Sequence, residues 1–458
     1  MVVTALFSKA EQLLLLASLA HRRADEQAAL EALVGQMPDW KHIEILAIEN
    51  AILPMLYRAL HSEPCWTRVP VSLQETLVAH ARSIAETNRA RITAVMPVVR
   101  RLAAEAIPVI MLKGIYLAES LYQDASYKRM NDVDFLVTLA DARKLYAIYE
   151  ELGFFCVAPL MGDSAQRQEK YSHHMPPFVS RDLTGVLGTH WGLISPLTPY
   201  KIDIGSLWER KVPFDFYGVQ LWAMAPEDNL HHLCVHLPYY KTGLRELMDL
   251  YNLVREQGDR LDWEAFLARV QSAGTEELVF HALSLCQALV PDDRVRACLR
   301  LLESRVGGFY LTDTLRKIAH PARILRSRAT QVSKVERAYG EFSLTWDLKE
   351  KTRAYLSMWR HATLPPRREV EKMNYLKPGS PLVWLYYPLN PVRIARLLAK
   401  DLGWKLFWLV NLKEIIDLVS CAWLTLTRPA YRGQTLAAFA KRFDLTPEQL
   451  RQLKGALE

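Results

Sequence analysis

The texture of the chain changes twice. Helical spacing of apolar residues runs from the start to about residue 105, short strand-like runs begin at Ile107, and helical spacing returns at Pro226. Strands confined to the middle, interleaved with helices and flanked by helical regions, restrict the fold to an α/β or α+β class. The expected class is α+β: a small mixed sheet forming the core, with helical regions on its N- and C-terminal sides. The corresponding divisions are a helical lead-in (1–105), the core (106–225), a helical domain (226–320) and a C-terminal helical region (321–458).

In the lead-in, helices are predicted at Lys9–His21, Ala24–Val34, Ile43–Leu60 and Leu73–Glu105, with Pro38, Pro64 and Pro70 in the gaps. In the core, strands are predicted at Pro108–Leu112, Val133–Thr138, Phe154–Ala158, Pro177–Arg181, Val186–His190 and Lys201–Ile204. Helices are predicted at Tyr116–Tyr122 and at Asp141–Leu152, the latter closed by Gly153. Beyond Pro226 the pattern gives Glu227–His236, Arg245–Gln257, Trp263–Ser272, Glu276–Leu289 and Val295–Leu302. A basic, break-rich stretch then spans Arg323–Pro381, and a helical block runs from Val392 to the end.

One constellation carries chemistry. A strand-like Val109–Leu112 runs into Lys113-Gly114 and a helix, and Arg129 precedes Asp132-Val133-Asp134-Phe135-Leu136-Val137. Side chains alternate along a strand, so Asp132 and Asp134 share a face about 7 Å apart. Two carboxylates so placed can share Mg²⁺ or Mn²⁺, hard ions that take oxygen ligands. Such an ion binds a triphosphate and neutralises charge on attacking and leaving oxygens. The strand–Lys113–Gly114–helix turn offers the complement: close backbone approach at glycine, free N–H groups at a helix start, and a point charge for phosphate.

Leu112-Lys113-Gly114, Leu121-Tyr122, Arg129 and Asp132–Val137 together resemble an uncharacterised bacterial nucleotidyltransferase family. The resemblance continues through Leu152-Gly153-Phe154, His190-Trp191, Leu207–Arg210, Pro226-Glu227-Asp228, Leu233–Leu237 and Arg245…Asp249, covering roughly 95–255. It implies a polymerase-β-like nucleotidyltransferase fold, in which two acidic residues on a strand hold metal and nucleoside triphosphate and a third lies on a later strand. Here the position two before His190, where that third carboxylate is expected, is Gly188. His190 shares its strand face and is the favoured replacement, as general base or metal ligand; Asp203 is the other candidate.

Other patterns are weaker. Asp228, His232 and His236 fall at i, i+4, i+8, a spacing that can bind Zn²⁺ or simply cap and pack a helix. His173-His174 precedes a strand and can face the same cleft. Arg245 and Asp249 read as a structural i,i+4 pair. Lys400–Leu426 is rich in Trp and Leu, and burial is favoured there over peripheral membrane contact. Thr435–Leu457 reads as helix–turn–helix, with Thr446 as an N-cap and Pro447 at the first helical position.

With 57 basic and 50 acidic residues the net charge is +7, which permits phosphate binding without asking for a nucleic-acid partner. The six cysteines form no Cys-x-x-Cys pair, in keeping with reduced thiols in a cytoplasmic protein. Leu13–Ala20 is apolar but too short, and its leader too weakly basic, to be read as a secretory signal. The expected function is therefore transfer of a nucleoside monophosphate, AMP by analogy, from ATP or another nucleoside triphosphate with Mg²⁺ or Mn²⁺. The acceptor is a protein, peptide or small molecule. Asp132, Asp134 and His190 are the expected catalytic residues, Asp132 and Asp134 the metal ligands, and Lys113, Gly114 and Arg129 the phosphate contacts. The alternative is a nucleotide-binding or scaffold protein that has lost a metal ligand.

Overall fold

The computed structural model describes residues 7–157, 172–194, 200–237 and 244–306 continuously, with shorter stretches and single positions elsewhere, among them 321–326 and 380–389. The chain divides into two units, one of residues 1–155 and 168–330, the other of 156–167 and 331–458.

The lead-in forms α1 (Lys9–Ala17), α2 (Ala24–Gly35), α3 (Trp40–Glu49), α4 (Leu53–Leu60) and α5 (Val71–Ala104). A capping box starts α1: Ser8 Oγ accepts from the Glu11 N–H, and Glu11 accepts from the Ser8 N–H. Where the sequence predicts one helix over Ile43–Leu60, the structure has two. Asn50 is fully buried, and its amide donates to the carbonyls of Leu46 (2.9 Å) and Leu325 (2.8 Å) while its oxygen accepts from the Leu244 N–H (3.1 Å). Ala51 then turns left-handed (φ 53°), and Pro54 sits in the first turn of α4. At 34 residues α5 is about 51 Å long, and its buried stripe includes Leu77, Ile84, Asn88, Ile92, Val95, Val99 and Leu102.

Seven strands form one mixed sheet: β1 (Ile110–Met111), β2 (Val133–Leu136), β3 (Phe154–Cys156), β4 (Phe178–Ser180), β5 (Val186–His190), β6 (Val212–Phe216) and β7 (Val219–Ala223), in the order β3-β4-β5-β2-β1-β7-β6. β1 runs antiparallel to β2 and parallel to β7, and β2 runs parallel to β5. Helices α6 (Lys113–Ser120), α7 (Leu139–Glu151) and α8 (Ile204–Glu209) connect strands. The predicted strand at Lys201–Ile204 does not form: Asp203 caps α8, accepting from the Ser206 N–H. The β6–β7 hairpin is absent from the sequence prediction. It turns at Tyr217-Gly218, both at positive φ (52° and 80°), as a two-residue hairpin turn requires.

Alternation gives the sheet two unlike faces. On one, Thr189 Oγ1 bonds the buried Tyr149 hydroxyl of α7 at 2.8 Å. On the other, Leu136 joins Ile110, Leu112, Leu193, Leu207 and Met224 in a buried cluster packed by Trp208 and Trp222. Asp134, Gly188 and His190 lie on this second face.

After the sheet come α9 (Pro226–His236), α10 (Leu244–Gln257), α11 (Trp263–Ala273), α12 (Glu276–Leu289) and α13 (Asp293–Glu303), then the short α14 (Ala322–Arg326). The lead-in is stitched to α10 through polar contacts. Asn252 accepts from the Ala20 N–H and donates to the Ser18 carbonyl, both at 3.0 Å, and Arg255 holds buried Glu26 through two 2.7 Å hydrogen bonds.

In the second unit, α15 (Val383–Tyr386) is a single turn. Thr446 and Gln449 exchange the reciprocal hydrogen bonds of a helix start (2.9 and 3.2 Å), in line with Thr446 as an N-cap. Apart from Val419, the Trp-rich Lys400–Leu426 block lies outside the described residues, as does most of Thr435–Leu457. Among the described residues no helix is long and apolar enough to cross a membrane, and Cys65, Cys234, Cys286 and Cys298 are buried free thiols.

Candidate active site

Strand pairing brings the predicted residues together. Met111 pairs with Phe135, and the Leu112 N–H donates to the Asp134 carbonyl at 3.0 Å, so Lys113 enters α6 directly beside Asp134. The Lys113 ammonium lies 3.5 Å from Asp134 Oδ2, with both side chains about nine-tenths buried. On the other side, β5 lies parallel in register, Asp134 beside Gly188 and Leu136 beside His190. His190 Nε2 is 3.0 Å from Asp134 Oδ1. Asp134 is thus held through both oxygens, one by a cation and one by an imidazole.

The charges follow from this geometry. Burial opposes ionisation of Asp134, but the Lys113 charge and the His190 hydrogen bond outweigh it and hold the carboxyl well below its usual range. Asp132 is half-buried, and burial together with the Asp134 charge raises its pKa. His190 is lowered to about 4, first by burial and then by Lys113. It is therefore neutral at pH 7, and with a carboxylate facing Nε2 the ring proton sits there, leaving Nδ1 as its basic nitrogen.

Lys113 carries a positive φ of 47°, uncommon for a residue with a side chain and a mark of local strain. Gly114 lines the cleft beside Lys113. A Cβ at 114 would make only ordinary contact, 3.8 Å from Met130, and the left-handed residue is Lys113. At Gly188 the space a side chain would take is occupied: a Cβ would overlap Asp134 Oδ1 and lie 3.3 Å from Asp134 Cγ and 3.7 Å from Asp132 Oδ2.

A cleft of about 150 Å³ opens in front of these groups, lined by Lys113, Lys128, Arg129, Asp132, Asp134 and His236 among others. That is smaller than the roughly 300–1,000 Å³ of a site that encloses a whole ligand, and it suits the phosphate end of a nucleotide. Arg129 is exposed at its rim and forms no ion pair among the described residues. Its neighbour Lys128 is buried and paired with Asp249 of α10, which also accepts from the Tyr122 hydroxyl at 2.6 Å. The predicted Arg245–Asp249 pair is therefore corrected: Arg245 bonds Glu246 at 2.5 Å, and Asp249 reaches across to the strand-entry loop.

Two further residues shape that loop. Buried Asn88 of α5 donates to the carbonyls of Ala125 and Lys128 and accepts from the Met130 N–H. Arg91 donates to the Met130 carbonyl and lends its charge to Asp132. Asn88 carried a signal, a polar residue on an otherwise apolar stripe, whereas Arg91 carried none.

The remaining histidines divide. The His173 and His174 rings lie tilted against His190, with ring centroids 5.6 and 5.3 Å away. Of the two readings of the α9 spacing, the contacts are those of packing: Asp228 is clamped by Arg210 through two 2.9 Å hydrogen bonds and approached by Arg269 at 3.3 Å, and His232 and His236 pack edge-to-face. Asp203, exposed and capping α8, takes no part in the site.

Among the described residues no three His, Cys, Asp or Glu side chains converge to hold a metal by themselves. Two carboxylates at a strand end remain, and that donor set fits Mg²⁺, which commonly takes one or two carboxylates and completes its shell with phosphate oxygens and water.

A family model described as "Uncharacterised nucleotidyltransferase" matches residues 36–291, more than half of the chain and all seven strands. No curated protein and no solved structure matches the chain.

Proposed function

The chain belongs to the uncharacterised nucleotidyltransferase family, and we propose that it moves a nucleoside monophosphate, AMP in the first instance, from the triphosphate to a hydroxyl on a protein, peptide or small-molecule acceptor. The observation that carries this reading is the convergence of Asp132, Asp134 and Lys113 on a cleft whose rim holds Arg129, with buried His190 hydrogen-bonded to Asp134.

Asp132 and Asp134 would hold Mg²⁺ or Mn²⁺, which when bound neutralises charge on the phosphates and polarises the α-phosphorus. Lys113, the N–H groups opening α6 and Arg129 bind and orient the triphosphate. The acceptor oxygen forms a bond to the α-phosphorus, the bond to the bridging oxygen breaks, and pyrophosphate leaves. The acceptor proton passes to His190 Nδ1, while Nε2–H keeps the ring aligned on Asp134.

Gly188 favours a second reading, in which the chain binds nucleotide without transferring it. One experiment separates the two. The protein is incubated with each labelled nucleoside triphosphate and Mg²⁺ or Mn²⁺, then assayed for pyrophosphate and for label on the protein or on added extract. Metal-dependent pyrophosphate release with ATP supports transfer, and tight binding of every triphosphate without release supports the second reading.

A further inference from the structure

The position that lacks a side chain is also the position against which Asp134 rests. Gly188 and Asp134 are register partners on adjacent parallel strands, and Asp134 Oδ1 occupies the space that any Cβ at 188 would enter. The same oxygen meets His190 Nε2 at 3.0 Å, two residues further along β5. The backbone on both sides is fixed by the β2–β5 pairing, so a side chain at 188 cannot be accommodated by moving a strand. What must yield is the Asp134 carboxylate, the loose end of the contact.

We propose that Gly188 is a positioning residue: its missing side chain lets Asp134 lie across β5 into the hydrogen bond with His190, and this Gly188–Asp134–His190 unit takes the place of a third acid. The glycine is then a requirement of this site and not the scar of a lost ligand. The two views give opposite expectations for an acid at 188. If a ligand has been lost, restoring a carboxylate restores function. If the glycine makes room, a carboxylate there displaces Asp134 and brings a third negative charge next to two that already repel. This inference extends the proposed function but makes a statement about the metal-free protein as well.

The test uses the full chain with ¹⁵N-labelled histidine, in chelator, with His190→Gln to assign the His190 resonances. The expected wild-type spectrum shows His190 as the Nε2–H tautomer with a protected proton, abolished by Asp134→Ala. Gly188→Ala is expected to lose that signal while keeping its melting temperature, and to bind Mn²⁺ at least about tenfold more weakly. Gly188→Asp is expected to lose the signal too, with no gain in nucleotidyl transfer. The proposal is overturned if Gly188→Ala keeps both the signal and the Mn²⁺ affinity, or if Gly188→Asp transfers faster than wild type. Should Gly188→Ala fail to fold, the wild-type spectrum decides: without an Nε2–H that depends on Asp134, the unit does not exist. If the signal responds as expected but no triphosphate is turned over, the positioning role stands and the transferase reading fails.

Discussion

Lys128 and Asp249 form a buried ion pair that ties the loop entering β2 to helix α10, 121 residues later in the chain. Tyr122 completes it with a 2.6 Å hydrogen bond to the other Asp249 oxygen and stacks on Tyr127 at 4.1 Å. The Tyr127 hydroxyl in turn donates to the carbonyls of Ser18 and Leu19 in the lead-in. The Asp132–Asp134 strand is therefore braced by elements from both helical flanks.

Removing one partner of such a pair leaves a buried charge uncompensated, at a cost of about 3–5 kcal/mol. Asp249→Asn is expected to lose stability on that scale in urea denaturation, whereas Lys128→Met combined with Asp249→Leu is expected to lose less than the single change. Equal losses would mean that the pair contributes no more than packing volume.

The positive φ at Lys113 allows charge and backbone to be separated. Lys113→Ala removes the ammonium and keeps a side chain in the left-handed region, while Lys113→Gly removes the ammonium and relieves the strain, by about 1 kcal/mol. Both are expected to weaken triphosphate binding by at least about 1 kcal/mol, the scale of a hydrogen bond to a charged group. The glycine variant is expected to melt higher than the alanine variant. Arg129→Ala is expected to weaken binding similarly with no change in melting temperature, since the side chain is exposed. Unchanged affinity in all three, by calorimetry, would reduce the Lys113-Gly114 turn to a helix start.

The site was legible where a short pattern carries its own chemistry. Asp132, Asp134 and Lys113 share a cleft because alternation on β2 and the pairing of β1 with β2 are local consequences of sequence. His190 came from alternation on β5. The role of Asp249 was misread because sequence spacing offers Arg245 as a neighbour, while the true partner Lys128 is brought in by tertiary packing that no periodicity encodes. The β6–β7 hairpin escaped because its strands are half-exposed and turn at Tyr217-Gly218. The one signal was a glycine between two alternating runs of apolar residues. The break at Asn50 escaped because a buried asparagine satisfied by Leu325 and Leu244 looks, in sequence, like any polar residue in a helix.

The lowered pKa of His190 makes an acid prediction with a definite sign. Its value falls from 6.5 to about 4 through burial and then Lys113, so folding favours the neutral ring. That contribution is complete above pH 6.5 and is lost as pH falls toward 4. His190→Gln has no such proton to take up, and its melting temperature is expected to decline less steeply than wild type between those limits. Parallel declines would show that the ring titrates normally in the folded protein.

Asp132, just before β2, and Asp134 within it are proposed to carry metal-dependent nucleotidyl transfer. The most direct test is metal-dependent triphosphate binding and pyrophosphate release by wild type, Asp132→Asn and Asp134→Asn at fixed Mg²⁺ or Mn²⁺, with folding checked by circular dichroism. Both variants are expected to fold, to lose the metal-dependent part of binding and to release no pyrophosphate above background. Wild-type binding and turnover in both variants would contradict that role.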